Sequence, residues 1–284
     1  MSFKPKYVSG SSLRQEVSFL GEKIKNTWEG IIFFPAKERI QKPRDTGVTM
    51  VIDKGTGLVE TKDLLEISSS YIDFIKFGFG TSALYPPEIL EEKVHLIQSF
   101  GVDVYPGGTF LEVAILQDKM EQYLNRMKSI GFTAIEVSDG TILMTEEIRR
   151  QAISFAAGLD LNILTEVGKK DSSKRLTPSQ LVDQIKKDFE NGARFVIVEG
   201  RDSGINAGLY DHKGQFIQDE FEELISLLGD QKRIIWEAPL KSQQQELIKK
   251  FGPNVSLGNI PPHEVFSLEA LRVGLRSDTF AHFV

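Results

Sequence analysis

The chain after residue 47 repeats one pattern of hydrophobic and polar positions: a short apolar run, a turn, and an amphipathic stretch. Most of the runs are continuous rather than alternating, which is typical of parallel strands that are covered on both faces. The eight runs are VTMVID (48–53), IDFIKFG (72–78), VDVYPGG (102–108), TAIEVSDG (133–140), LNILTEVG (161–168), RFVIVEG (194–200), RIIWEAP (233–239) and VSLGNI (255–260).

The segments between the runs have the periodicity and the end signals of helices. Pro86-Pro87 and Pro261-Pro262 begin two of them, and Thr177-Pro178 supplies a cap followed by proline at the first helical position. The apolar positions that share one face are Leu90, Val94, Ile97 and Phe100 in the first, Leu181, Ile185 and Phe189 in the second, and Val265, Leu268, Leu271 and Leu275 in the last.

This alternation of strands and helices predicts βαβ units with right-handed crossovers. Eight units in about 250 residues indicate an α/β fold of the (β/α)₈ TIM-type barrel class. We assign the barrel to residues 42–284 and interpret residues 1–41 as an N-terminal extension that packs on it. A doubly wound open sheet is the alternative, but DKGTGL (53–58) matches its glycine fingerprint only in part.

Composition narrows the class of protein. A chain of 284 residues buries a large core without cross-links, and the absence of Cys excludes thiol catalysis and fits a reducing compartment. No apolar stretch approaches the about 20 residues of a membrane span, and the N-terminus lacks a signal-peptide pattern. The net charge of −6 argues against a nucleic-acid partner. We therefore expect a cytoplasmic protein with neither a membrane nor a nucleic-acid partner.

Charged residues recur where the predicted strands end. Barrel enzymes place their chemistry at these carboxyl ends, and a buried carboxylate is costly unless a cation pairs with it. Oxygen ligands without nearby His or Cys point to Mg²⁺ or Mn²⁺ rather than zinc. The strand-end residues are Asp53, Lys76, Glu136, Glu166, Glu199 and Glu237.

Other residues offer donors to an anion. Gly107-Gly108 leads into a helix, and Gly258-Asn259 precedes the last helix in the region where barrels often bind phosphate. Arg44 and Arg201 carry planar guanidinium groups suited to oxyanions. Because Arg44 precedes the first strand, it reaches the carboxyl end only if the chain or a neighbouring subunit brings it there.

Several long segments resemble one known family. KPRDTGVTMVIDKG, YIDFIKFGFGTS, IEVSDG, LTEVGKKD, WEAPLKSQQQELIKKFGPNVSLGNIP and EALRVGLRSDTF are similar to the phosphosulfolactate synthases of coenzyme M biosynthesis. The resemblance runs from about Lys42 to Phe280. It implies a (β/α)₈ barrel, Mg²⁺ dependence, a homo-oligomer, and addition of sulfite to phosphoenolpyruvate to give (R)-2-phospho-3-sulfolactate, a carbon–sulfur lyase reaction run in the synthetic direction.

With that chemistry we assign expected roles. Sulfite attack on the methylene carbon leaves negative charge beside the carboxylate, which needs a cation and then a proton donor. The expected Mg²⁺ ligands are Glu136, Glu166 and Glu199, and the expected catalytic residues are Lys76, Asp53 and Glu136. The expected substrate-binding residues are Arg44, Lys54, Gly107, Gly108, Ser138, Arg201, Gly258 and Asn259.

Two alternatives stay open at this point. One is a barrel enzyme that uses phosphoenolpyruvate or a related enol phosphate with another nucleophile. The other is a family member without this activity, a protective or interaction protein like the plant heat-stress-associated relatives. The acidic strand ends favour an enzyme, because a scaffold gains nothing from clustered unpaired carboxylates.

Overall fold

The computed structural model describes residues 27–171 and 174–284. Eight strands alternate with helices in these ranges. The strands are β1 Thr49–Asp53, β2 Phe74–Phe77, β3 Asp103–Pro106, β4 Ala134–Val137, β5 Asn162–Val167, β6 Phe195–Val198, β7 Ile234–Glu237 and β8 Ser256–Ile260. The α-helices are α1 Leu58–Ser68, α2 Pro87–Ser99, α3 Gly108–Leu116, α4 Met120–Ile130, α5 Glu146–Gly158, α6 Pro178–Glu190, α7 Gln218–Leu228, α8 Lys241–Phe251, α9 Val265–Arg272 and α10 Ser277–Phe283.

All eight strands form one parallel sheet in the order β3-β2-β1-β8-β7-β6-β5-β4. The two end strands also meet, because the Thr133 N–H donates to the Val104 carbonyl at 3.1 Å and the Val104 N–H donates to the Thr133 hydroxyl at 2.9 Å. The sheet is therefore a nearly closed barrel, and the predicted (β/α)₈ class is confirmed.

Most predicted helix boundaries agree with the structure. Thr177 caps α6 in a reciprocal capping box with Gln180. The last predicted helix is shorter than expected, because α9 ends at Arg272 and Gly274 takes a left-handed conformation at φ 76°. Leu275 consequently lies beyond the helix and is half-exposed.

Two apolar layers surround the strands. One lies between the barrel and the helices and includes Val51, Ile75 and Ile135. The other fills the lower barrel interior with Val48, Met50, Phe74, Tyr105, Ala134, Leu164, Phe195, Ile197 and Ile235. Successive strand residues point to opposite faces, so these interior residues define which positions further along each strand face inward.

The compact unit that contains the barrel runs from Pro35 to Val284, and Met1–Phe34 is a separate unit. In the described part of that second unit, the apolar side chains of Trp28, Ile31 and Phe33 are exposed. The predicted packing of an extension over residues 1–41 rests largely on residues 1–26, outside the described ranges, and stays a prediction. Among the described residues no helix is both long and apolar enough to span a membrane.

The amino ends of the strands hold Arg44, which was predicted to bind substrate. Its guanidinium pairs with Asp73 at 2.8 Å and donates to the Tyr71 carbonyl at 3.0 Å. Asp73 also accepts the Thr49 N–H at 2.7 Å, which ties the starts of β1 and β2 together. Because barrel chemistry occurs at the opposite end, this position does not support a substrate-binding role for Arg44.

We expect Arg44→Met to lower the free energy of unfolding by about 3–5 kcal/mol, since it leaves the Asp73 carboxylate buried without its cation. Chemical denaturation measures the change. Lys187→Met is the matched control, because Lys187 pairs with Glu146 at 3.1 Å on the exposed surface and its loss should change stability little. Equal losses in the two variants would contradict the structural role of Arg44.

Candidate active site at the carboxyl end of the barrel

The pleat of the strands brings most of the predicted strand-end charges together. Lys76 lies two residues after the interior Phe74 and Glu136 two residues after the interior Ala134, so both side chains face into the barrel. Glu166, Glu199 and Glu237 follow Leu164, Ile197 and Ile235 by the same two-residue step. The upper barrel interior is therefore charged where the lower interior is apolar.

Lys76 lies at the centre of this group. Its Nζ is 2.9 Å from Glu237 Oε1, 3.0 Å from Glu136 Oε2 and 3.6 Å from Glu166 Oε2. Burial alone would lower the pKa of Lys76, but the charges of the three glutamates outweigh burial and raise its pKa well above the ordinary value. The side chain thus stays an ammonium ion at neutral pH.

Lys170 adds a second cation at the rim. Its Nζ is 3.9 Å from Glu166 Oε1 and donates to the Thr109 hydroxyl at 2.7 Å. Although burial lowers the pKa of Lys170, the charges of Glu166 and Glu199 raise it overall. No role had been predicted for Lys170, although Lys169-Lys170 directly after the fifth run marks the rim position.

The pKa values of three glutamates differ because burial is offset by different neighbouring charges in each case. Burial raises the pKa of Glu136 to about 7, with Glu166 and Glu237 adding to the shift and Lys76 opposing it. Burial would also raise the pKa of Glu166, but Lys170 and Lys76 lower it to about 2. Burial, helped by Glu166 and Glu237, raises the pKa of Glu199 well above its usual range.

Three of the carboxylates are arranged as cation ligands. Glu166, Glu199 and Glu237 are buried and each offers one oxygen within 4.8 Å of the others. Glu199 Oε2 and Glu166 Oε1 are buried, and the two side chains hydrogen-bond to each other when Glu199 carries a proton. We name Glu136, Glu166, Glu199 and Glu237, with Lys76 and Lys170, the glutamate cluster.

The glutamate cluster contains four carboxylates and two ammonium groups. Its net charge is −2 when all six groups are ionised, and one divalent cation would neutralise it.

The contacts of Glu136 are not those of the expected metal ligand. It was predicted to bind the metal, but one oxygen contacts Lys76 and the other accepts the Gly108 N–H at 2.7 Å. Glu237, a predicted strand-end residue that was not assigned to the metal, completes the ligand group instead. Glu136 lies beside the group of possible ligands rather than in it.

Gly107 and Gly108 connect β3 to α3 above this carboxylate. A Cβ atom at Gly108 would lie 2.8 Å from Glu136 Oε1, so only glycine allows the N-terminus of α3 to approach so closely. Ser138, on the inward face of β4, donates to Glu112 at 2.6 Å. Glu112 in turn accepts the N–H groups of Thr141 and Ile142, so it holds the β4–α5 loop. Nothing in the sequence pattern had singled out Glu112.

The predicted pair Gly258-Asn259 forms an irregularity in β8. Between the pairs Thr49–Leu257 and Val51–Ile260, β8 holds one residue more than β1, so the strand bulges here. Asn259 takes φ 54° and its buried Oδ1 has no hydrogen-bond partner. A Cβ at Gly258 would lie 3.6 Å from Glu237 Cγ, so the bulge borders the glutamate cluster.

Asp53 does not join the cluster. It lies three residues after the interior Met50, so its side chain faces the helices, where its Oδ2 lies 2.5 Å from Nζ of Lys93 in α2. It also accepts the N–H groups of Gly55 and Thr56 at 2.8 and 2.9 Å. The position supports a structural role in the β1–α1 turn and not the predicted catalytic one.

Lys54 and Arg201 lie at the mouth of the barrel. Lys54 Nζ is 2.8 Å from Asp202 Oδ2 and 5.6 Å from the centre of the Phe79 ring. Arg201 is exposed and its N–H donates to Glu199 Oε1 at 2.6 Å. Both remain on the rim where an anionic ligand would enter.

Comparison with known proteins agrees with this geometry. The family model described as (2R)-phospho-3-sulfolactate synthase (ComA) matches residues 37–278. Phosphosulfolactate synthase of Methanothermobacter thermautotrophicus is 47% identical over 248 residues, which cover 87% of this chain and 96% of that protein. The enzyme of the same name from Methanocaldococcus jannaschii is 44% identical over 236 residues, covering 82% and 94%.

More distant matches bear on the fold and on the alternative function. Protein HEAT-STRESS-ASSOCIATED 32 of Arabidopsis thaliana is 24% identical over 263 residues, covering 83% of this chain and 89% of that protein. The crystal structure of 3-hexulose-6-phosphate synthase from Salmonella typhimurium aligns with a TM-score of 0.53 at 14% identity, covering 81% of this chain and all of that one. At this identity the structural match shows the barrel fold alone. On the family model and the two synthase matches, the chain belongs to the (2R)-phospho-3-sulfolactate synthase family of enzymes.

Proposed function

We propose that the protein is a Mg²⁺-dependent phosphosulfolactate synthase, a carbon–sulfur lyase that joins sulfite to phosphoenolpyruvate and forms (R)-2-phospho-3-sulfolactate. The observation that carries the proposal is the glutamate cluster, which a chain of this family holds at the carboxyl end of its barrel. A homo-oligomeric state and a cytoplasmic location stay predictions from sequence.

The buried oxygens fit a divalent cation. Glu166, Glu199 and Glu237 would hold it, and the cation would take the place of the proton that Glu199 shares with Glu166. Oxygen-only ligands favour Mg²⁺ over zinc. When bound, the cation would stabilise the negative charge that develops on the substrate carboxylate.

The reaction forms one bond and moves one proton. The sulfur of sulfite bonds to the methylene carbon, the electrons of the double bond move to the carbon that carries the phosphate and the carboxylate, and a proton is then added there. Lys76 is suited to stabilise this charge, because its raised pKa keeps it an ammonium ion. Glu136 is better suited as the proton donor, because its pKa of about 7 matches neutral pH.

The rim residues would hold the substrate anions. Lys54, Lys170 and Arg201 supply positive charge around the mouth, and the Gly107-Gly108 and Gly258-Asn259 segments bring backbone close to the cluster. Gly108 and Ser138 are already engaged by Glu136 and Glu112, so we assign them to shaping the site.

Phosphorus NMR tests the proposal directly. Purified protein with Mg²⁺, sulfite and phosphoenolpyruvate is expected to convert the enol phosphate signal into a new phosphomonoester signal. A chelator should stop the conversion, and omission of sulfite is the control. If no new signal appears with intact protein and excess Mg²⁺, the synthase proposal fails and the non-catalytic alternative gains support.

A further inference from the structure

The loops above the glutamate cluster are joined across the mouth of the barrel. Lys54 follows β1, Phe79 follows β2 and Asp202 follows β6. In the strand order of this barrel three strands separate β2 from β6 on either side, so these two strands lie opposite each other. The Lys54 ammonium nevertheless lies 5.6 Å from the Phe79 ring centre and 2.8 Å from Asp202. The ion pair itself joins the loops after β1 and β6, between which β8 and β7 lie, and the Phe79 contact extends this link to the loop after β2.

The two ends of this ion pair are anchored differently. The fully buried Lys93 holds the two residues that flank Lys54 in the turn, Asp53 and Thr56. Its Nζ is 2.5 Å from Asp53 Oδ2 and 2.6 Å from the Thr56 carbonyl. Asp202 lies in the long segment between β6 and α7, and its side chain is 33% exposed. The backbone on both sides of Lys54 is thus held in place by Lys93.

An exposed pair of this kind contributes little to stability, since water screens it. Lys54, 49% exposed, is a solvent-accessible cation on the loop after β1 at the carboxyl end of the barrel, so it can attract an anion that enters there. The Asp202 carboxylate already offsets the charge of that cation at 2.8 Å. An anion that approaches Lys54 therefore competes with Asp202 for the same positive charge.

We propose that Asp202 weakens the binding of anions at the mouth of the barrel, because its carboxylate competes for Lys54 with anionic ligands of phosphate or carboxylate type. The inference deepens the proposed function, because phosphoenolpyruvate supplies such an anion. The competition itself requires only an anion that reaches Lys54.

Isothermal titration calorimetry with phosphoenolpyruvate, in Mg²⁺ and without sulfite, tests the competition. Asp202→Asn is expected to tighten binding by about two- to fivefold, the range typical of an exposed ion pair. Lys54→Met is expected to weaken binding about tenfold or more, because a charge-assisted hydrogen bond is lost. In a Lys54→Met background, Asp202→Asn should have no further effect.

Glu222→Gln is the matched control. It also converts an exposed, ion-paired carboxylate into an amide, but its partner Lys250, at 2.6 Å, lies on α8 away from the mouth. It should leave the affinity unchanged, which separates competition for Lys54 from a general effect of net charge.

The same titrations with inorganic phosphate separate the two proposals. If phosphoenolpyruvate binds no variant but Asp202→Asn tightens phosphate binding only when Lys54 is present, the competition stands and the proposed substrate is wrong. Three results would overturn the competition: Asp202→Asn tightens the binding of neither anion, it tightens binding equally in the Lys54→Met background, or neither anion binds.

Discussion

Replacing Lys76 with methionine is expected to lower turnover by about 10³-fold in the assay with sulfite and phosphoenolpyruvate. Lys76 is the cation that contacts Glu136 and Glu237 most closely, at 3.0 and 2.9 Å, and it is buried with them. Without it the site loses the positive charge that would stabilise the developing carbanion. Steady-state kinetics measure the change as a loss of kcat.

Lys76→Met also lowers stability, so its kinetics must be compared with those of a variant that loses a different buried lysine. Lys93→Met removes another buried lysine, one that pairs with Asp53 behind the β1–α1 turn and not with the glutamate cluster. Both variants should unfold more easily, because each leaves a buried carboxylate without its cation. Lys93→Met should keep kcat near that of the parent protein and alter KM at most. A folded Lys76→Met protein with parental kcat would remove Lys76 from the mechanism.

Glu199→Gln is expected to weaken Mg²⁺ or Mn²⁺ binding by more than about 100-fold, since loss of a direct ligand should exceed the effect of losing an outer-shell group. It should also make the metal-free protein more stable at neutral pH. Glu199 Oε2 is buried, and a neutral amide there requires neither a buried charge nor the uptake of a proton on folding. Metal titration and thermal unfolding with a chelator measure the two effects.

The sign of the stability change depends on pH. Because burial and neighbouring carboxylates raise the folded-state pKa of Glu199, the folded protein retains a proton that the unfolded chain releases above about pH 4.3. The parent protein therefore loses stability as pH rises through this window towards the folded pKa. The gain from Glu199→Gln should appear at neutral pH and disappear near pH 4.

Glu269→Gln should show the opposite sign. Glu269 is mostly buried at the amino end of the barrel, where Arg39 contacts it at 2.8 Å and, against the effect of burial, lowers its pKa. That stabilisation is present above the unfolded pKa and is lost as pH falls through the folded one, so the variant should be less stable at neutral pH. If Glu199→Gln also destabilised the metal-free protein at neutral pH, Glu199 would not be a strained, ligand-ready carboxylate.

Much of the fold was predictable because the signals are local. The apolar runs, the cap at Thr177 and the proline that begins α2 each act over a few residues, and all three appear in the structure. The end of α9 was missed because Leu275 continues the apolar spacing, whereas Gly274 ends the helix through a left-handed turn. The spacing of apolar residues alone does not show that a glycine ends the helix before the apolar pattern stops.

The position of the candidate site was predictable from the sequence, but the set of residues that form it was only partly so. Strand-end charges marked the carboxyl end of the barrel, and Lys76, Glu136, Glu166 and Glu199 do meet there. Lys170 was missed because it lies beyond a strand end, on a loop whose course the strand pattern does not specify. Arg44 was misplaced because an arginine suited to an oxyanion is equally suited to the Asp73 carboxylate that it pairs with.

The sequence by itself determined that this chain forms a parallel barrel, that its strands end in charge, and to which family it belongs. The tertiary structure decided which of those charges share a site: Lys76 points inward with the glutamates, while Asp53 points outward to Lys93. Barrel strands are apolar on both faces, so they carry no alternation that marks the inner one. Only the closed sheet, by placing Met50 and Phe74 inside, sets the direction of every side chain further along the strands.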